Sequence, residues 1–156
     1  MLDWKKLLVS IIGCELAGGI GAIFTSPNIP TWYAALAKPS FSPPNWVFFP
    51  VWTTLYLMMG VSVYLVWNRE KNKQAEMGLK FFGVQLLLNI LWSFLFFGMK
   101  SPFLGLIGII ALWLSIALTI RQFWKINRNA AYLLVPYILW VSFAAILNFS
   151  VWQLNP

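Results

Sequence analysis

Apolar residues in this chain come in long, nearly unbroken runs rather than in the alternating or one-faced patterns of a soluble fold. Five such runs lie at about 5–25, 46–67, 79–99, 103–122 and 131–152. Each approaches the roughly 20 residues that a helix needs to cross hydrocarbon. The pattern predicts an all-α membrane protein: a bundle of five transmembrane helices forming one domain over residues 1–156. The first run follows Lys5 and Lys6 and superficially resembles a signal peptide, but it is longer than a usual signal core and is interrupted by Glu15. It reads as a retained helix. Pro136, about one turn into the fifth run, is expected to bend its start.

The polar breaks differ in kind. Residues 25–45 hold Pro27, Pro30, Pro39, Pro43 and Pro44, which forbid a continuous helix because each lacks an amide donor and restricts its predecessor. Interleaved with them are Trp32, Tyr33, Leu36, Phe41 and Trp46. A solvated linker has no use for so many aromatics, so this segment is expected to be an ordered cap on the helix ends. The other breaks carry charge. Lys5, Lys6, Arg69, Lys71, Lys73, Lys80, Arg121, Lys125 and Arg128 fall on one side, and only Lys38 and Lys100 on the other. Nine against two is a strong positive-inside signal. In a bacterial cytoplasmic membrane it puts the amino terminus inside, and the cap and carboxyl terminus outside.

Composition narrows the chemistry. With 60% hydrophobic and 10% charged residues, too little chain remains outside the spans for a second domain. That excludes a two-domain enzyme, a disulfide scaffold and a disordered tail protein. The absence of histidine removes the commonest metal ligand and general base. A single cysteine, Cys14, excludes an intrachain disulfide and a cysteine-rich metal site. The net charge of +7 is explained by topology, so no nucleic-acid partner is expected.

Ten tryptophans divide by depth. Trp4, Trp32, Trp46, Trp67, Trp124 and Trp152 lie near span ends, where interfacial anchoring is the default. Trp113 lies deeper without polar neighbours a turn away on its own segment, and lipid-facing packing is expected. The remaining three have polar company at helical spacing. The third segment places Gln85, Asn89, Trp92, Ser93 and Phe96 on one face, and the fifth does so with Tyr137, Trp140, Ala144 and Asn148. On the second, Trp52 and Tyr56 are one turn apart. The amides should point inward, either as interhelical hydrogen bonds or as the anchors of an aromatic-walled cavity. Glu15 shares a face with Gly18, Gly19 and Ala22; an intramembrane carboxyl is either a proton- or cation-coupling site or a protonated hydrogen-bonding group. Small residues four apart, such as Cys14/Gly18 and Ala17/Gly21, permit close helix packing within the chain or between chains.

The run Trp32-Tyr33-Ala34-Ala35-Leu36-Ala37-Lys38-Pro39-Ser40-Phe41-Ser42-Pro43-Pro44-Asn45-Trp46, continuing through Pro50-Val51-Trp52-Thr53-Thr54-Leu55-Tyr56, resembles the signature of the TspO/MBR family, the translocator proteins or peripheral-type benzodiazepine receptors. Asn89-Ile90-Leu91-Trp92-Ser93 is similar to its third helix, and Pro136-Tyr137-Ile138-Leu139-Trp140 with Phe143-Ala144 and Leu147-Asn148 to its fifth. The resemblance implies a five-helix bundle, often a homodimer. Its pocket beneath the first loop would bind tetrapyrroles such as protoporphyrin IX and isoquinoline-carboxamide or benzodiazepine-type drugs. Carried over by motif position, that pocket includes Tyr33, Pro43, Trp46, Trp52, Asn89, Trp92, Trp140, Ala144 and Leu147. Tyr56, Phe143 and Asn148 join it from the helical faces.

A porphyrin is a large flat π-system with an anionic edge, suited to aromatic walls, and Lys38 is the cation near the loop. Without histidine, metal-free porphyrin is the better candidate than haem, and no resident cofactor is expected. The family resemblance also implies light- and oxygen-dependent porphyrin degradation, for which Trp52 and Trp140 would be the oxidisable residues. The stretch matching the animal sterol motif has Phe149 near the tyrosine position and Gln153 at the basic one, so that motif is incomplete. A rival reading is a small proton-coupled exporter, or a porphyrin transporter, built on Glu15. The chain offers no nucleophile–base pair or phosphate loop to define a conventional enzyme.

Overall fold

The computed structural model describes residues 3–69 and 72–156, so Lys71 of the basic set lies outside the described residues. Among the described residues the chain is helical, without strands, and five stretches are long and apolar enough to cross a membrane. Helix α1 spans Trp4–Thr25 and is capped by Asp3, whose carboxylate accepts the Lys6 amide. Helix α2 spans Phe48–Trp67. Helix α3, Lys73–Ser93, starts from the Asn72 cap and runs on as a wider π turn over Phe94–Gly98. Helix α4 spans Pro102–Ile126, with Ser101 as its cap and proline at its first position, where no amide is missed. The fifth crossing is broken into α5, Arg128–Leu133, and α6, Val135–Leu154. The break falls at Leu134, two residues before Pro136, where the sequence calls for a bend.

The helices overrun the apolar runs at the charged end. The third begins at Lys73 rather than near 79, the fourth continues to Ile126 rather than 122, and the fifth begins at Arg128 rather than 131. Hydropathy marks the part of a helix inside hydrocarbon, whereas capping and internal hydrogen bonds decide where it ends. Asn72 and Asn127 start helices in the polar zone, beyond the reach of a hydropathy reading.

Packing closes a ring in the order α1, α2, α5/α6, α4, α3 and back to α1. Four small residues of the first helix pack within the chain: Ser10, Cys14, Ala17 and Gly21 form its buried face, whereas Gly13, Gly19 and Ala22 are exposed. The backbones of α1 and α2 approach closely at Gly60, where an added Cβ would lie 2.6 Å from the Ile11 Cα. At the charged end Asp3 donates its amide to the Tyr64 hydroxyl at 3.1 Å, and Ser62 donates to the Ala130 carbonyl at 2.7 Å. At the opposite end α2 and α6 are held apart, and rings span the gap: Trp52 meets Tyr137 at 6.3 Å and Phe48 meets Trp140 at 6.2 Å.

The proline-rich segment is an ordered cap, as its aromatics require. It forms a π turn over Ile29–Tyr33 and a 3-10 turn over Asn45–Val47. Tyr33 is buried against Phe48, Phe96 and Phe97. The Asn155 amide fastens the cap to the end of α6, donating to the Ala37 carbonyl at 2.9 Å and accepting its amide at 3.0 Å. The described chain therefore starts and finishes at opposite ends of the bundle, consistent with five crossings.

Candidate ligand-binding site

Just below the cap, α1, α2 and α3 diverge around a cavity of about 370 Å³. Its aromatic wall is Phe48, Phe49, Trp52, Tyr56, Trp92 and Phe97. Trp52 forms the centre of that wall, 5.7 Å from Tyr56 and 6.2 Å from Trp92 with ring planes tilted by 31° in each case. Asn89 and Ser93 contribute polar atoms from α3. The opposite wall is the small-residue face of α1, comprising Glu15, Gly18, Gly19, Gly21 and Ala22. Gly18 is required here, because a Cβ would stand 2.5 Å from the Tyr56 ring.

Both readings of the buried amides find support, at different residues. Asn89 is fully enclosed, accepts from the Tyr56 hydroxyl at 2.5 Å and donates to the Tyr137 hydroxyl at 2.7 Å. One side chain thus ties α2, α3 and α6 together while also lining the cavity. Asn148 is a helix tie: it accepts from the Trp92 indole at 3.3 Å and donates to the Pro102 carbonyl at 2.8 Å. Gln85 is buried with its amide 3.9 Å from the Met59 sulfur, and its carbonyl oxygen has no hydrogen-bond partner among the described residues.

The remaining expected site residues lie around this cavity rather than on its wall. Trp140 is half-buried behind Phe48, with Phe143 5.5 Å away, and its buried indole N–H has no acceptor among the described residues. Ala144 and Leu147 are buried on the same helix. Tyr33 sits in the cap above; burial raises its phenol above the usual tyrosine range, opposed by the Ser42 hydroxyl, so it stays neutral at physiological pH. Pro43 is half-buried in the cap, whereas Trp46 points outward and is 74% exposed. Lys38 gives its ammonium protons to the carbonyls of Tyr33, Leu36 and Ala34 at 2.8, 3.0 and 3.2 Å, bracing the cap from within.

Several contributors escaped the sequence reading. The first helix supplies a whole wall, and the only hint was that Glu15, Gly18, Gly19 and Ala22 share a face. Phe48, Phe49 and Phe97 lie where helix starts and π turns scramble the spacing. Trp32, expected as an interfacial anchor, packs on Phe96 and Phe97 at 5.5 and 6.3 Å as part of the cap. Trp113 keeps its exposed ring but donates its N–H to Ser142 of α6 at 2.8 Å, a partner that spacing along its own segment cannot reveal.

Fold and cavity together define a class: a five-crossing helical membrane protein with an aromatic chamber under an ordered cap. The family model that matches residues 10–153 is that of the TspO/MBR family, and this chain belongs to it. It is 45% identical to the "Tryptophan-rich protein TspO" of Chlorobaculum tepidum over 92% of this chain and 91% of that one. It is 43% identical to "Protein CrtK" of Rhodobacter capsulatus over 95% and 91%. To the "Translocator protein" of Homo sapiens it is 37% identical over 97% and 91%.

Proposed function

We propose that this integral membrane protein binds a tetrapyrrole, protoporphyrin IX first, and hydrophobic aromatic drugs in the chamber beneath its cap. The observation that carries the reading is the wall formed by Trp52, Tyr56, Trp92 and Phe97 around a mostly apolar cavity. Flat π-systems gain from such walls through offset and edge contacts. A volume of about 370 Å³ is at the low end for drug-sized sites, so a macrocycle has to enlarge it. The route lies through Phe48, which lines the cavity on one side and covers Trp140 on the other. Displacing that ring would join the chamber to Phe143 and Ala144 and offer the unpaired Trp140 N–H to a ligand oxygen. In a bacterial cytoplasmic membrane the positive-inside balance would put the amino terminus inside.

The test is a titration of protoporphyrin IX into the protein in lipid nanodiscs, read by tryptophan fluorescence. Saturable quenching is expected, weakened about tenfold in Trp52→Ala, which corresponds to losing one ring contact of about 1.4 kcal/mol. Quenching that rises linearly, as in empty discs, would contradict the reading.

The cluster of Trp52, Tyr56 and Trp92 favours a second activity at the same site: loss of bound porphyrin in light, with dioxygen as co-reactant. Trp52, and Trp140 behind Phe48, would be the residues oxidised beside the excited pigment. Illumination of the complex should then destroy porphyrin more slowly in a Trp52→Phe/Trp140→Phe double variant. An unchanged rate would remove those residues from the chemistry.

A further inference from the structure

Glu15 is part of the cavity, yet an anionic tetrapyrrole has no use for a carboxylate. It lies in the middle of α1, half-buried, and is neither hydrogen-bonded nor ion-paired among the described residues. A carboxylate in hydrocarbon is costly unless it is protonated or paired. Across from it stands an aromatic wall. Gly18, one turn along the same face, lets the Tyr56 ring press onto the α1 backbone, and Trp52 and Trp92 continue the wall behind it. The faces of such rings attract cations. A carboxylate opposite two indoles and a phenol, in a site whose other wall residues are uncharged, has the chemistry that receives a lipophilic organic cation.

The cavity is also reachable from the side of the bundle. Gly19 and Ala22 on α1 and Phe49 and Thr53 on α2 are exposed and flank its opening. At Gly19 a Cβ would meet nothing within 4 Å. We propose that the α1 side of the cavity is a binding site for lipophilic ammonium or phosphonium ions, entered between α1 and α2, with Glu15 as counter-ion and Trp52, Tyr56 and Trp92 as the cation-facing wall. The proposal rests on the cavity and its charge, and stands apart from the tetrapyrrole reading.

The probe is tetraphenylphosphonium, with tetraphenylborate as its counterpart of equal shape and opposite charge, titrated into nanodiscs of phosphatidylcholine. Wild type should show saturable tryptophan quenching by the phosphonium and none above the empty-disc background by the borate. Glu15→Gln should weaken the phosphonium about tenfold, as expected when a partly desolvated cation loses its counter-charge. Gly19→Leu, placed in open space at the mouth, should block entry while its thermal unfolding stays close to wild type. Equal affinity in wild type and Glu15→Gln, or equal binding of both ions, would overturn the proposal. So would the absence of phosphonium binding together with a dimer that Gly19→Leu dissociates, since the mouth would then be the seat of a second copy. The protoporphyrin IX titration of wild type reports separately on the tetrapyrrole reading.

Discussion

Asn89 shows how one residue carries both structure and site. Its amide satisfies the hydroxyls of Tyr56 and Tyr137 on two different helices, groups that lipid cannot satisfy in its place. Hydrogen bonds between membrane helices average only about 0.6 kcal/mol, but stranding two buried hydroxyls costs more, about 1–3 kcal/mol. Asn89→Leu is therefore expected to lower stability by that larger amount in detergent unfolding, and Tyr137→Phe by less. Equal effects would mean that the chain of hydroxyls is held by something else. The inward direction of Gln85, Asn89 and Asn148 was readable from spacing alone, because an amide facing lipid is too costly. Which of them would line a cavity was not. That depends on where α1 stands relative to α3, and the small residues that set this distance carry no polar signal.

At the scale of helices, close packing rests on positions without side chains. At Gly60 the backbone of α1 is so near that a methyl group must push the helices apart. Gly60→Ala should cost about 1–3 kcal/mol in unfolding measurements, the usual range for overpacking. Gly83 is the internal control: its Cβ would meet nothing within 4 Å, so Gly83→Ala should be neutral or stabilise by up to about 1 kcal/mol through helix propensity. A Gly60 variant as stable as wild type would place the tight contact elsewhere. The existence of all five crossings, and the break beside Pro136, were legible because apolar run length and a missing amide act locally. The helix ends at Lys73, Ile126 and Arg128 were not, because their polar extensions are set by the caps Asn72 and Asn127 and by packing at the charged end.

At the scale of the whole molecule, the cap covers one end of the chamber. It is held at Tyr33 by aromatic packing, at Lys38 by three of its own carbonyls, and at Ala37 by Asn155 from the far end of the chain. An ordered cap was foreseeable from aromatics set among prolines, whereas its fastening was hidden in a terminal asparagine with no periodic partner. The central claim is that a flat aromatic ligand sits under this cap against α2 and α3. The most direct measurement is the structure of the protein with protoporphyrin IX bound. The macrocycle should lie in van der Waals contact with Trp52 and Trp92, with Phe48 turned away from Trp140. A macrocycle on the outer surface of the bundle, with Phe48 and the chamber unchanged, would contradict the account.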